Sequence, residues 1–524
     1  MVKLIKQLVF VFLSVVLCYS CEPSYNVPQD ALKTDKKLRI FPDYTDIVIP
    51  SNIAPLNFMV KEEGEEFVCR ITSGKEDLIS GSDDTGIIKF NIDDWHKFLK
   101  ANKNKSLDVY VYVRKDGKWY EYPKYNIQVA EEEIDRYLSY RLIEPSYILY
   151  RLMGLYQRDL TTFEQTPIVE NLRETIIKDK SYCINCHNYQ NYHAKNMLFH
   201  ARYALGGTII ANDGHIEKLN TKSDSILGSC VYPSWHPTKN WLVFSSNKTG
   251  QVFHILDKQK VEVLDHASDI IFYNVDTHEI SNVIKTHNVL ETFPAWSPTG
   301  DMVYYCEATT NFLDTDADST MDSKSIVNAE QLKYNIYRIP FEEKTMTFGE
   351  PELVYDAKAN NKSASVPRVS PDGKYLLFTL GDFGQFHIWH SSSDQYVKNL
   401  VTGEVYPLTA ANSNNVDSYH TWSSNGRWIV FSSRRDDGSY TRSYIAYFDK
   451  EGQAHKAFML PQENPDYNIK LFKSYNVPEL TVDKVPYSAD KFTEIVKGPS
   501  TPVKYREIRP RFKNQDDANQ QINN

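Results

Sequence analysis

A short sequence pattern recurs four times in the second half of the chain, and this repetition limits the possible folds more than any other feature. The copies occupy residues 233–244, 294–305, 367–378 and 420–431. In each copy a short stretch leads into a turn, and the turn leads into a more apolar stretch that ends in an aromatic residue. One such unit leaves an apolar face exposed, so several units must stack against one another.

The turn of the repeat has a simple physical basis. In the third copy it is Ser-Pro-Asp-Gly at 370–373. Proline presets φ at the first central position of the turn, and glycine accepts a positive φ at its end. Two further strand patterns follow each turn, for example at 335–339 and 352–355. Four strands per repeat make one blade of a β-propeller, so we predict a propeller of about six blades over residues 188–485.

These repeats resemble the blades of TolB-like (WD40-like) β-propellers, in which an aromatic residue precedes Ser-Pro-Asp-Gly and a strand that ends in Phe. Trp235, Trp296 and Trp422 supply the aromatic residue, and Val369 replaces it in the third copy. The turns of the first and fourth copies also depart from the signature. The resemblance implies a scaffold, whereas a reaction would have to be argued from a site.

The first twenty residues have the features of a secretion signal. Two lysines precede an apolar run at 8–17 that is too short to span a bilayer. Ser20 before Cys21 resembles the cleavage box of bacterial lipoproteins, although Cys18 stands where that pattern prefers Leu. We therefore expect a signal peptide at 1–20, a lipidated Cys21 and a tether at 21–37, with an ordinary secreted protein as the alternative.

The remaining segments are predicted from their periodicity. Residues 38–130 alternate between apolar and polar side chains, which predicts a small β-rich, sandwich-like domain. Apolar and aromatic residues at helical spacing predict a helical connector over 131–187. Residues 486–524 are predicted as a C-terminal tail. The expected fold class is therefore mainly β, with a helical connector between two β domains.

The charge of the chain argues against one class of partner. The net charge is −9 and the pI is near 5.9. Binding to a nucleic acid backbone needs clustered Lys and Arg, so no nucleic acid partner is expected.

The whole arrangement resembles envelope lipoproteins of Bacteroidota-type bacteria. That resemblance implies a place in the bacterial cell envelope, on the periplasmic side or the outer-membrane surface, with an envelope protein, peptide or glycan as partner.

One motif predicts a cofactor. Residues 183–187 form Cys-x-x-Cys-His, the pattern of c-type haem attachment. Cys183 and Cys186 would bind the haem covalently, and His187 would coordinate its iron. The candidates for the sixth iron ligand are Met197, His200 and, less favoured, His193.

Other roles remain open for the same motif. Cys183 and Cys186 could form a disulfide. Alternatively, a zinc ion could be held by Cys183, Cys186 and His187 or His200, with Cys230 as a further ligand. The thiols could also have no cofactor at all.

Three functions are compatible with these features. The first is a non-enzymatic binding module that holds an envelope protein, peptide or glycan on the propeller face or in its channel. The second is a redox protein with haem c, and the third is an enzyme with an unrecognised site in the channel. Binding is favoured over enzymatic activity. Peptidase activity is not expected, because the Gly-x-Ser-x-Gly elbow of propeller-gated serine peptidases does not occur in the sequence.

Overall fold

A computed structural model describes residues 25–144, 153–171, 182–253, 261–286, 288–309 and 329–508. The predicted signal peptide, Cys21 and the first residues of the tether lie outside these ranges. Strands dominate the described residues, which confirms the prediction of a mainly β fold. Among the helices of the described ranges, none combines the length and apolar character needed to cross a bilayer.

The N-terminal part consists of a seven-stranded sheet, a three-stranded sheet and one helix. Its elements are β1 (Leu32–Lys33), β2 (Ile40–Phe41), β3 (Ile47–Ile49), β4 (Phe58–Val60), β5 (Glu66–Thr72), β6 (Asp77–Ser82), β7 (Ile87–Ile88), α1 (Ile92–Ala101), β8 (Ser106–Lys115), β9 (Lys118–Glu121) and β10 (Tyr125–Val129). The long strand β8 pairs with β5 along one edge and with β9 and β10 along the other.

Local sequence explains where α1 begins and which face it buries. The Asn91 side chain accepts hydrogen bonds from the backbone N–H groups of Asp93 and Asp94, so it satisfies two of the donors that a helix start leaves without partners. Trp95 and Phe98, three residues apart, lie on the same face and are buried.

The rest of the chain is built from short strands. They are β11 (Tyr137–Ile143), β12 (Met153–Asp159), β13 (Gln165–Glu170), β14 (Tyr182–Gln190), β15 (His193–Tyr203), β16 (Gly207–Asn212), β17 (His215–Asn220), β18 (Cys230–Trp235), β19 (Trp241–Phe253), β20 (Val261–Asn274), β21 (Glu279–Ile284), β22 (Val289–Trp296), β23 (Met302–Thr309), β24 (Asn335–Glu342), β25 (Thr347–Phe348), β26 (Glu352–Tyr355), β27 (Ser363–Val369), β28 (Tyr375–Gly381), β29 (Asp394–Asn399), β30 (Val405–Pro407), β31 (Asp417–Trp422), β32 (Trp428–Ser433), β33 (Arg442–Tyr447), β34 (Phe458–Met459), β35 (Ser474–Thr481), β36 (Thr501–Pro502) and β37 (Lys504–Tyr505).

Short helices complete the second part of the chain. They are α2 (Tyr467–Lys470), α3 (Ala489–Lys497) and three 3-10 turns at Ala329–Gln331, Lys358–Asn360 and His387–Trp389.

Within the described ranges, the strands form antiparallel units of four. Their orders are β35-β11-β12-β13, β14-β15-β16-β17, β18-β19-β20-β21, β22-β23-β24-β26, β27-β28-β29-β30 and β31-β32-β33-β34, and we number these as units one to six. The first strands of units two to six, β14, β18, β22, β27 and β31, contact one another in this order, and β35 contacts both β31 and β14. Sheets arranged radially with their innermost strands in a ring define a β-propeller.

The second strand of each repeat unit lies between the inner and outer strands and is shielded by neighbouring units. All seven residues of β28 and all six residues of β32 are buried. A strand covered on both faces has a continuous apolar run rather than an alternating pattern, and this explains the apolar second stretch of each repeat.

Described segments on both sides of the propeller sequence pack onto it. The Tyr44 hydroxyl donates to the carbonyl of Met459 at 3.3 Å, and the Trp428 indole donates to the carbonyl of Glu132 at 3.3 Å. At the other end, α3 buries Phe492 against unit two, and β36 and β37 add parallel strands to β17 and β21.

The structure corrects the predicted helical connector over 131–187. The described residues of this segment form β11, β12, β13 and the first part of β14, and none of them is helical. Six of the seven residues of β11 are buried, so its apolar residues do not alternate with polar ones. Their match to helical spacing is a coincidence. The propeller therefore includes strands that precede its predicted start at residue 188.

The predicted tail is also structured in part. Residues 489–497 form a helix with Phe492 and Val496 fully buried, and described structure continues to residue 508. The segment has a polar sequence, typical of a tail, because only one face of a short helix and two edge strands contact the propeller.

Candidate binding cleft at the channel mouth

The innermost strands share one backbone irregularity. Each contains one non-glycine residue with a positive φ: Cys186 (43°), Tyr232 (47°), Phe293 (53°), Val366 (52°), Tyr419 (51°) and Val477 (50°). The pairing of each strand with its neighbour shifts register at this point. Such backbone costs energy for residues other than glycine, so its recurrence in every unit shows that the fold imposes it. The six residues together line a central cavity of 50 Å³.

This recurrence explains the end of the Cys-x-x-Cys-His motif. In every unit the residue after the bulge is Pro or His: His187, Pro233, Pro294, Pro367, His420 and Pro478. Cys186-His187 therefore occupies the same structural position as Tyr419-His420. The motif lies on a strand of the propeller ring, with Cys183 paired to Arg202.

The haem ligands predicted from sequence do not all line one cavity. Cys183 lines a cavity of 110 Å³ and His187 lines the central cavity of 50 Å³, and Cys186 lines both. The His187 ring is buried with Nε2 at 3.9 Å from Glu479 Oε2, and burial lowers the pKa of His187 to about 3.

The predicted sixth ligands are equally unsuited. Met197 and His200 lie on β15, the strand directly paired to β14. Met197 is fully buried in the core, and His200 Nδ1 lies 2.9 Å from the Thr208 hydroxyl. Adjacent strands are only about 4.8 Å apart, which leaves no room for a macrocycle between His187 and either side chain. The residues present do not fit a covalent haem, and haem attachment stays a prediction from sequence.

The alternative roles of the cysteines can be compared with the same geometry. Cys183 is a free thiol, so it forms no disulfide with Cys186. Over the described ranges, no group of three or more His, Cys, Asp or Glu side chains is placed to hold a metal ion. Cys230 lies on β18 and is buried, and burial raises the pKa of Cys230 to about 12. His193 lies at the surface, with Nδ1 at 2.9 Å from Asp483 Oδ2.

A long hairpin covers one mouth of the channel. Strands β19 and β20 continue to pair beyond the four-stranded part of unit three, through residues 247–253 and 261–268, which we call the arm. Val261 and Val263 of the arm pack in one cluster with Ile388, Trp389 and Tyr419 of units five and six. The arm therefore reaches from unit three across the mouth of the channel.

Buried polar contacts hold the arm in place. His390 Nε2 lies 2.9 Å from Glu262 Oε2, and both side chains are buried. The Asn247 amide donates to Asp265 at 2.8 Å, and the Tyr334 hydroxyl lies 3.4 Å from the same carboxylate. Burial raises the pKa of Asp265 to about 7, because the charged carboxylate loses its hydration there.

Beside the arm lies a further cavity of the described residues. It has a volume of 630 Å³ and joins the 110 Å³ cavity through six residues that line both. The shared residues are Arg202, Tyr203, Tyr232, Gln251, Val263 and Phe386. We call the joined space the cleft. A volume of this size is typical of a site for a small ligand.

The charges of the cleft have one sign. Arg141, Arg202 and Lys222 line it, and its described lining residues include no Asp or Glu. The whole chain has the opposite bias, with 68 acidic and 59 basic residues. The cleft is therefore a positive region on an acidic protein, and such a region attracts negatively charged ligands.

Sequence reasoning missed every one of these cationic residues. Arg202 and Tyr203 lie at the end of β15, within the predicted propeller but outside its four sequence repeats. One signal was available: β19 and β20 are the longest strands of the propeller, and a hairpin too long for one blade must extend beyond it. The contact of the arm with residues 388 and 389 of a distant unit has no local signal.

Comparisons with known proteins give similarity to solved structures only. No protein-family model and no curated protein matches the chain. An oligogalacturonate lyase in complex with manganese is 10% identical with a TM-score of 0.30, over 80% of this chain and 99% of that one. The β-propeller domain of the trilobed protease from Pyrococcus furiosus is 11% identical with a TM-score of 0.32, over 69% and 96% of the two chains.

A third similar structure is the tricorn protease, at 12% identity and a TM-score of 0.30, over 82% of this chain and 43% of that protease. At such scores the similarities carry no argument about activity. The assignment to the β-propellers rests on the strand pairing and on the ring of innermost strands described above.

Proposed function

We propose that this chain is a lipid-anchored binding protein of the bacterial cell envelope, whose six-bladed propeller holds its ligand in the cleft at the channel mouth. The observation that carries the proposal is the cleft itself, a space of 630 Å³ joined to one of 110 Å³. Its walls combine aromatic side chains with amides and hydroxyls, which is the usual chemistry of a ligand site.

The ring order of the innermost strands supports a count of six blades. Unit one takes its innermost strand, β35, from the C-terminal side of the propeller and its other three strands from the N-terminal side. This pairing joins the two ends of the propeller and supports a rigid frame for the cleft. The envelope location is supported by the signal-like start of the sequence and by Cys21.

The arm supports the choice of the cleft over another cavity of the propeller. A cavity of 430 Å³ lies at the far end of β14, where it is lined by charged surface residues of both signs. The cleft is instead partly roofed by the arm, so a ligand there would lose more contact with water than one bound in the 430 Å³ cavity.

The test is to block the cleft without disturbing the fold. The full-length chain, purified in detergent, is screened by saturation-transfer NMR against neutral and acidic mono- and disaccharides and tripeptides. Ser229 is exposed and lines the larger cavity, so Ser229→Trp should fill it. Thr345→Trp, at an exposed residue outside the cavity linings described above, is the control.

We expect at least one probe to bind the native chain and Thr345→Trp but not Ser229→Trp. Equal binding by Ser229→Trp would place the site elsewhere and contradict the proposal, as would a native chain that binds no probe.

A further inference from the structure

We propose that the cleft selects ligands that carry an oxyanion group, a carboxylate or a phosphate, and that Arg202 is its main recognition group. This inference rests on the proposed binding function and adds the class of ligand. It is carried by the position of Arg202, by the absence of an acidic side chain among the described residues that line the cleft, and by the composition of the cleft walls.

Arg202 is placed where both parts of the cleft meet. It is half-buried at the end of β15 and lines the 630 Å³ and the 110 Å³ cavities. Among the described residues it forms no ion pair, whereas other arginines of the chain are paired, such as Arg136 with Asp159 at 2.8 Å and Arg338 with Glu352 at 2.7 Å. A guanidinium that is not engaged in an ion pair can bind a carboxylate or phosphate in the cleft through two parallel hydrogen bonds.

Two further cations add to the positive field of the cleft. Arg141 is buried and anchored by its Nη1, which donates to the carbonyl of Ile184 at 3.0 Å. Lys222 is exposed at the rim of the larger cavity. The charge of Arg202 also affects a neighbouring group. The pKa of His200 is lowered to about 3, mainly by burial and in the same direction by the positive charge of Arg202.

The other walls of the cleft suit a ligand with a polar body. Tyr203, next to Arg202, is 65% exposed and adds an aromatic side chain to the lining, and Gln251 lines the cleft from the arm. Aromatic faces beside amides and hydroxyls suit a sugar ring or a short peptide equally. The shared chemistry is the oxyanion, and the probes below separate its possible sources.

The experiment compares probes that differ in one group. The full-length chain is titrated by isothermal calorimetry with glucose, glucuronate and glucose 6-phosphate, which present the same ring as a neutral, carboxylate or phosphate form. A tripeptide with a free C-terminus and its amide form a second pair. We expect an anionic member of one set to bind at least about 10-fold more tightly than its neutral partner, and this preference should weaken as salt rises.

Variants then separate recognition from a structural role. Arg202→Gln should weaken binding of the anionic probe by about 10-fold to 100-fold, because the substitution removes a charge-assisted pair of hydrogen bonds. It should leave a neutral probe and the melting temperature nearly unchanged. Arg202→Lys should retain part of the binding, and Lys358→Gln, at an exposed cation outside the cleft, should change nothing.

The outcomes distinguish this inference from the proposed function. Equal binding of neutral and anionic probes, lost in Ser229→Trp, would overturn the oxyanion inference and leave the cleft as the binding site. An equal loss of neutral and anionic binding in Arg202→Gln would assign Arg202 a structural role and also overturn it. Binding by none of the probes would contradict both proposals.

Discussion

Removing the side chain of Leu480 tests whether β35 closes the propeller. Leu480 is fully buried and pairs in register with Leu138 of β11, which is also fully buried. Next to this pair, Tyr140 and Tyr475 of the same two strands pack edge to face at 4.8 Å. Truncation of a fully buried leucine to alanine costs about 2–5 kcal/mol, and the tight surroundings place Leu480→Ala in the upper half of that range.

The assay is urea denaturation of the full-length chain, followed by tryptophan fluorescence and far-UV circular dichroism. Val482 follows β35 directly and is 37% exposed, and its backbone N–H bond to the Tyr192 carbonyl would survive a change to alanine. Val482→Ala is therefore the matched control, with an expected cost below about 1 kcal/mol. If Leu480→Ala cost no more than Val482→Ala, β35 would not be the innermost strand of unit one.

Two further predictions test the structure, and a third tests the lipid anchor predicted from sequence. Burial raises the pKa of Asp265 from 3.8 to about 7, above its value in the unfolded chain, so the stability contributed by the neutral carboxyl is full below about pH 4 and is lost as pH rises through about 7. Asp265→Asn should therefore flatten the fall in melting temperature between pH 5 and pH 8, and an unchanged slope would refute this. Chain made in a host with haem-attachment machinery should give the same pyridine haemochrome spectrum as its Cys183→Ala, Cys186→Ala variant; a haem c band in the native chain alone would contradict the bulge explanation of the motif. Cys21→Ser should abolish incorporation of labelled fatty acid and release the chain from the membrane fraction, and persistent labelling would exclude lipidation at this residue.

The repeats made the propeller predictable because their determinants are local. In the copy at 294–305 the end of β22, the Ser-Pro turn and the apolar start of β23 all lie within twelve residues. Turn chemistry and burial of the second strand need no distant partner to be recognised.

Unit one was missed for the opposite reason. Its innermost strand β35 and its second strand β11 lie at opposite ends of the propeller sequence, so nothing local indicates that they pair. Burial on both faces also removed the alternation that would have identified β11 as a strand, and helical spacing appeared in its place.

The Cys-x-x-Cys-His motif shows how a strong local pattern can mislead. Its last two residues repeat the bulge position that Tyr419-His420 occupies in unit six. Aligning residues 186–189 with the four repeats would have revealed this, because Pro or His recurs at the second position of each and an aromatic residue follows two positions later in all but the third copy, which has Val369. The cleft had no comparable signal, since Arg202 and the arm meet only in the folded chain.

A structure of the full-length chain with its tightest-binding anionic probe tests the central claim most directly. The account predicts the ligand in the cleft, with its oxyanion within hydrogen-bond distance of the Arg202 guanidinium. A ligand in the 430 Å³ cavity lined by Gln190, His193 and Asp213 would contradict it.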